Sequence, residues 1–138
     1  MAIFLIHQLH SIPQTNQLRK KDEIMPYFSI KTNVTLGASE ASDFAGEASS
    51  FACRLLGKPE KYMMVSVSHS AALMFGGAAD PAAFVEFKSI GLLEANCKGY
   101  SKAICEFLES NLKISPERIY IDFKDIDARM FGWNKTTF

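Results

Sequence analysis

Two segments of this chain, Lys58-Pro59-Glu60-Lys61-Tyr62 and Ser115-Pro116-Glu117-Arg118-Ile119, stand 57 positions apart (116 minus 59). The same offset lays Phe28 on Val85, Ile30 on Phe87 and Lys31 on Lys88. A chain that repeats itself once folds as two copies of one unit, too few for a solenoid. The unit is legible in its periods. From Pro26, the residues Phe28, Ile30, Thr32 and Val34 alternate with Ser29, Lys31 and Asn33, which is the pattern of a strand. Ala41, Phe44, Ala48, Phe51, Ala52 and Leu55 then recur at helical spacing, with Gly57 as the stop. A second strand is expected over residues 62–69, with Met63, Val65 and Val67 on its core side. The second half repeats the order with a strand over 83–90, a helix over 96–112 and a strand over 119–124.

Two right-handed β-α-β crossovers each give a pair of parallel strands. With both helices on one side, the expected fold is a two-layer α+β domain, a four-stranded mixed sheet carrying two helices on one face. The other face is left uncovered and holds Ser29, Lys31, Ser66, Ser68, Glu86, Lys88, Tyr120, Asp122 and Lys124. The segment Met130-Phe131-Gly132-Trp133 has large apolar groups and no helix to cover them, a feature of surfaces that dock on a neighbouring chain.

Composition excludes several classes. Lysine plus arginine equals aspartate plus glutamate at 15 each, so no net field draws the chain to nucleic acid or an anionic membrane. No apolar run approaches the roughly 18 residues of a membrane span. Cys53, Cys97 and Cys105 are an odd number without C-x-x-C spacing, which suits free thiols of the core, and His7, His10 and His69 complete no ligand set with them.

Residues 1–25 run from an apolar start to Arg19-Lys20-Lys21-Asp22-Glu23, the reverse of the charge order of a secretory signal. They are expected to be a disordered extension, removed or not translated, ahead of a domain over 26–138. The expected location is the cytoplasm, with any export by a route that needs no signal peptide. Asn33-Val34-Thr35 and Asn134-Lys135-Thr136 fit the glycosylation sequon and are read as accidental in that setting.

Several short motifs carry a resemblance. They are Met25-Pro26, Thr32-Asn33-Val34, Gly57-Lys58-Pro59, Phe75-Gly76-Gly77 with Asp80-Pro81, Ser89-Ile90-Gly91, Tyr100-Ser101-Lys102, the run from Ile114 to Ile121, and Gly132-Trp133-Asn134. In this order they resemble the macrophage migration inhibitory factor family of the tautomerase superfamily, from Pro26 to Phe138. The resemblance implies a homotrimer of the tautomerase fold, with sites between subunits. It implies keto–enol tautomerisation of a small aromatic 2-oxo acid or related enol, of the phenylpyruvate or dopachrome type, without cofactor or metal. On this reading Pro26 is the general base and acid, Lys58 holds the substrate carboxylate, and Ile90 lines the pocket. Tyr120 comes from the adjacent subunit. Phe131 stands where the family usually has a smaller aliphatic residue and would narrow the site. Asp122 stands where the mammalian members have asparagine and would add a charge beside Tyr120. The segment from Pro81 to Val85 covers the place of the C-x-x-C of the mammalian cytokine, so dithiol chemistry has no basis here.

The chemistry of Pro26 is a matter of what precedes it. At the chain terminus its nitrogen is a secondary amine, able to take and give a proton; inside the chain it is a tertiary amide with no N–H and no basic lone pair. Catalysis is therefore expected only where Pro26 is the free terminus. Two other functions compete with it: a cytokine-like protein that binds a receptor or regulatory partner and whose pocket is incidental, and an extended homologue that has lost catalysis.

Overall fold

Seven residues, Pro26–Thr32, form the strand β1 around which both halves assemble, in a computed structural model that describes residues 26–138. The expectation for residues 1–25 lies outside the described residues. The first half continues as helix α1 (Ala38–Leu56) and strand β2 (Met64–Ser68), and the second as β3 (Ala83–Ile90), α2 (Glu94–Leu112) and β4 (Ile119–Ile126). The strand order is β2-β1-β3-β4. β1 runs parallel to β2 and β3 parallel to β4, while β1 and β3 are antiparallel and join the two halves. This is the mixed sheet that two crossovers require. Among the described residues no helix is long and apolar enough to cross a membrane.

Parity decides what each strand buries. On β1, Phe28 and Ile30 are fully buried, as are Val85 and Phe87 on β3, and these four pack with Ala48 and Ala52 of α1 and Ile104 and Leu108 of α2. Phe28 meets Phe87 edge to face at 5.4 Å, and Phe51 stacks on Phe107 at 4.3 Å between the helices. Burying each such side chain is worth about 1.5–3 kcal/mol. The opposite parity stays open to solvent, with Lys31, Tyr120, Asp122 and Lys124 exposed and Glu86 paired to Lys88 at 3.1 Å.

Several boundaries differ from the periodic reading by a residue or two, with the second helix beginning at Glu94 and β4 running to Ile126, and hydrogen bonds account for two of them. β1 stops at Thr32 because the Thr32 hydroxyl accepts a hydrogen bond from the Val34 amide and donates to the Ala82 carbonyl, drawing the chain off the ladder. β2 begins only at Met64, because residues Glu60–Tyr62 form a 3-10 turn closed by Met63 N–H to the Glu60 carbonyl. The matching turn over Pro116–Arg118 precedes β4 in the second half.

The long connection from β2 to β3 is held by two side chains. The Asn33 amide donates to the carbonyls of Leu73, Ala79 and Asp80, and its oxygen accepts from the Ala82 amide. Arg118 donates to the carbonyls of Phe75, Ala78, Asp80 and Pro81. Asn33 is thus committed to the fold. Replacing it by alanine should lower stability by about 1–3 kcal/mol, because several carbonyls lose their donor at once. Asn33→Asp should cost at least as much, since a carboxylate keeps the acceptor but cannot donate. Urea titration at one fixed chain concentration measures both, and a wild-type midpoint for Asn33→Asp would show that the carbonyl cluster does not need the amide.

Candidate active site

The end of α1 delivers Lys58. Gly57 takes the left-handed conformation at φ 64°, with its N–H on the Arg54 carbonyl while the Lys58 N–H reaches the Cys53 carbonyl. This paired closure satisfies the helix's last carbonyls and turns the chain sharply, and it favours glycine because a side chain at positive φ is strained. From there the Lys58 ammonium donates to the Ser89 hydroxyl at 3.1 Å and to the Ile90 carbonyl at 3.0 Å. Ser89 is the residue opposite Pro26 in the β1–β3 register. Pro26 is buried, and as the first residue of its strand it can lack an N–H without breaking the ladder. Pro26, Lys58 and Ile90 therefore meet at one corner of the sheet.

An aromatic cavity of about 310 Å³ opens at the same end, lined by Tyr27, Lys61, Tyr62, Met64, Phe131 and Trp133 and not by Pro26, Lys58 or Ile90. Its outer wall is the C-terminal segment. The Asp127 carboxylate accepts from the Arg129 backbone and guanidinium, bonds that hold its carboxyl below the ordinary range and fix the 3-10 turn Ala128–Met130. A short hairpin follows, β5 (Gly132–Trp133) and β6 (Thr136–Thr137), turned by Asn134 and Lys135 at positive φ. Trp133 meets Tyr62 edge to face at 5.5 Å and stacks on Phe138, which in turn stacks on Phe131. The segment expected to be uncovered is thus partly covered by its own chain, although Met130 remains 83% exposed.

Tyr120 and Asp122 lie elsewhere. Both project from the open face of β4, Tyr120 level with Phe84 and Lys31, and Asp122 level with Glu86. Five residue steps along β1 separate the Lys31 level from Pro26, roughly 17 Å of strand. Tyr120 is 64% exposed and its ring leans on Phe75 at 4.9 Å. One chain brings Pro26, Lys58, Ile90 and Phe131 to one end and leaves Tyr120 near the other, with Asp122 midway, level with Ser29.

Sequence reasoning passed over Ser89, Tyr27, Tyr62, Trp133 and Phe138 as parts of this corner. The signal for Tyr27 was present in its parity, opposite to Phe28 and next to Pro26, whereas Tyr62 was hidden by being read as the start of a strand. A concavity of about 760 Å³ is a groove between the helices lined by Asp43, Glu47, Arg54, Phe107 and Asn111, and it gathers none of the expected residues. Among the described residues no three His, Cys, Asp or Glu side chains cluster to hold a metal. All three cysteines are free, and burial pushes the thiols of Cys53 and Cys105 up, away from the reactive thiolate.

The family model described as "Macrophage migration inhibitory factor (MIF)" matches residues 25–138. The macrophage migration inhibitory factor of Rattus norvegicus is 38% identical over 115 residues, 83% of this chain and 99% of the rat protein. The homolog from Brugia malayi shows the same identity and coverage. The crystal structure of the homologue from Prochlorococcus marinus superposes with a TM-score of 0.75 at 41% identity, covering 81% of this chain and 98% of that one. In sequence and in the tautomerase fold alike, the chain belongs to the macrophage migration inhibitory factor family.

Proposed function

We propose that this chain is a cofactor-free keto–enol tautomerase for aromatic 2-oxo acids of the phenylpyruvate or dopachrome type, with Pro26 as general base and acid once it is the amino terminus. The observation that carries the reading is the corner where Lys58 and Ile90 meet the first residue of β1 beside an aromatic cavity. An aromatic 2-oxo acid has a carboxylate at one end and a ring at the other. This corner offers it an ammonium and an apolar wall. The base takes the proton from the carbon beside the carbonyl, the electron pair moves onto the carbonyl oxygen, and a proton delivered there completes the enol. The reverse path returns the keto form.

A free α-amine titrates at roughly 7.7–8.0, nearer to neutrality than any unperturbed lysine. Burial and the Lys58 cation both disfavour the protonated amine and bring its pKa down towards the working pH. With residue 25 attached, the nitrogen lone pair is delocalised into the preceding carbonyl and cannot act as a base. The family model's match to residues 25–138, and a rat relative that aligns over 99% of its own length with 83% of this chain, support the extension over residues 1–25 lying outside the catalytic unit.

The chain that retains residues 1–25 should therefore turn over an aromatic pyruvate about 10²–10⁴-fold more slowly than a chain beginning at Pro26, mainly in kcat. Both N-termini would be verified by intact mass and the conversion followed across pH 5 to 9. Comparable rates from the extended chain would sink the proline mechanism.

For the carboxylate, Lys58→Ala should raise KM for the acid about tenfold or more and leave its methyl ester nearly unchanged, since only the acid has a charge to pair. Asp122→Asn should favour the acid by removing a like charge. Equal effects of Lys58→Ala on acid and ester would place the carboxylate elsewhere.

The separation of Tyr120 from Pro26 supports a site completed by a second copy in a homotrimer. Sedimentation equilibrium should give a trimer at micromolar concentration. Co-expression of Pro26→Gly and Tyr120→Ala chains should regain activity that neither has alone, because mixed assemblies contain some sites with both residues intact. No recovery from verified mixed assemblies would mean that Tyr120 serves its own chain or none.

A further inference from the structure

Ser89 is an oddity of β3. The residues that share its covered side, Ala83, Val85 and Phe87, are apolar, and among the described residues only Thr32 and Ser89 are polar and buried. A hydroxyl 1% exposed is costly unless it is hydrogen-bonded, and an alanine would fill the same place without that cost. The hydroxyl accepts from the Lys58 ammonium and donates to the Ile90 carbonyl at 3.3 Å, while the ammonium also donates to that carbonyl. With its hydrogen turned to Ile90, the Ser89 oxygen presents its lone pairs to Lys58. The three groups close into a small ring, of which one member, Ser89, pairs with Pro26.

We propose that Ser89 is a positioning residue that holds the Lys58 ammonium at the Pro26 corner before an anionic substrate arrives. The inference rests on the reading that Lys58 receives the substrate carboxylate. A lysine side chain has four rotatable carbons' worth of freedom, and a ligand that had to order it would bind more weakly. Ser89 and the Ile90 carbonyl do the ordering in advance.

The internal repeat supplies a control. The 57-residue offset places Thr32 on Ser89, so both halves bury a hydroxyl at the same point of their first strand. At the first-half position the hydroxyl donates to the Ala82 carbonyl at 2.7 Å, and the residue matching Lys58 is Ser115. That corner keeps the hydroxyl and lacks both the ammonium and the proline. A hydroxyl with a purely structural role should behave alike at both corners.

Two measurements test this, one independent of catalysis. On the full chain, the Lys58 ammonium should give a proton–nitrogen correlation signal with slowed water exchange, assigned by its loss in Lys58→Ala. It should weaken or vanish in Ser89→Ala and persist in Thr32→Val. In the Pro26-terminated form, which has the length of relatives that are whole proteins, Ser89→Ala should raise KM for phenylpyruvate about three- to thirtyfold and change kcat and the methyl ester's KM little. Ser89→Thr, which keeps the hydroxyl, should restore KM where its melting temperature matches the parent. An unchanged ammonium signal in Ser89→Ala would overturn the inference, as would a loss shared equally by acid, ester and melting temperature. If the Pro26-terminated parent is inactive, the tautomerase reading fails, and the ammonium signal still decides whether Ser89 positions Lys58.

Discussion

The antiparallel junction of β1 and β3 is the constraint on which the rest depends. Each half can make its own parallel pair, but only this junction turns two half-sheets into one and buries Phe28 against Phe87. It also sets which residues become neighbours. Lys58 belongs to the first half and Ser89 and Ile90 to the second, so their hydrogen bonds cross the junction. The candidate site is thus built on the seam between repeats. A slip of one residue along the seam would part Pro26 from Ser89 and reverse which faces meet the helices. The pattern of buried side chains forbids that slip, and the register that stabilises the core also assembles the corner.

Duplication provides two such corners and the sequence equips one. Pro26 pairs with Ser89 at one end of the seam and Thr32 pairs with Ala83 at the other. At the second corner the hydroxyl of Thr32 ties down the start of β3 through Ala82, and Asn33 and Arg118 gather the carbonyls of the long connection. One end of the seam became a structural clasp, and the other holds the Lys58 ammonium beside Ser89, with an aromatic cavity at the same end of the sheet. The division follows from chain order: the first strand has a residue that can become a terminus, whereas the third is entered from a loop that must be anchored.

Much of this is legible in the sequence. Phe28 and Ile30 against Ser29 and Lys31 fixed a strand and its buried face, and the repeat carried the same reading to Val85 and Phe87. The helix stop at Gly57 was legible because positive φ favours glycine. What escaped was what periodicity does not encode. The 3-10 turn at Glu60–Tyr62 took Tyr62 out of the strand and put it against Trp133. The folding back of Phe138 on Trp133 and Phe131 depends on a hairpin turned by Asn134 and Lys135, neither of them a glycine. Ser89 escaped because a serine near a strand end is unremarkable until the lysine that reaches it is known.

Tyr120 and Pro26 are the pair of expected site residues that the register of one chain keeps apart. The resemblance assigned Tyr120 to a site that includes Pro26, and the register puts the two at opposite ends and on opposite faces of the sheet. Both statements hold together when the open face of one copy meets the proline corner of another. That face has the means to do so: Tyr120 and Met64 stand more than half exposed on strands whose other side is already filled by the helices. Among the described residues no further helix covers these apolar groups, and in the proposed homotrimer a second copy would be the cover that also completes the corner. Such a contact would be head to tail, the tyrosine end of one chain meeting the proline end of the next, and head-to-tail contacts close into rings when the rotation between copies closes, or run on as filaments when it does not. Closure in a ring would leave each copy giving one tyrosine and receiving one, with every proline corner served alike.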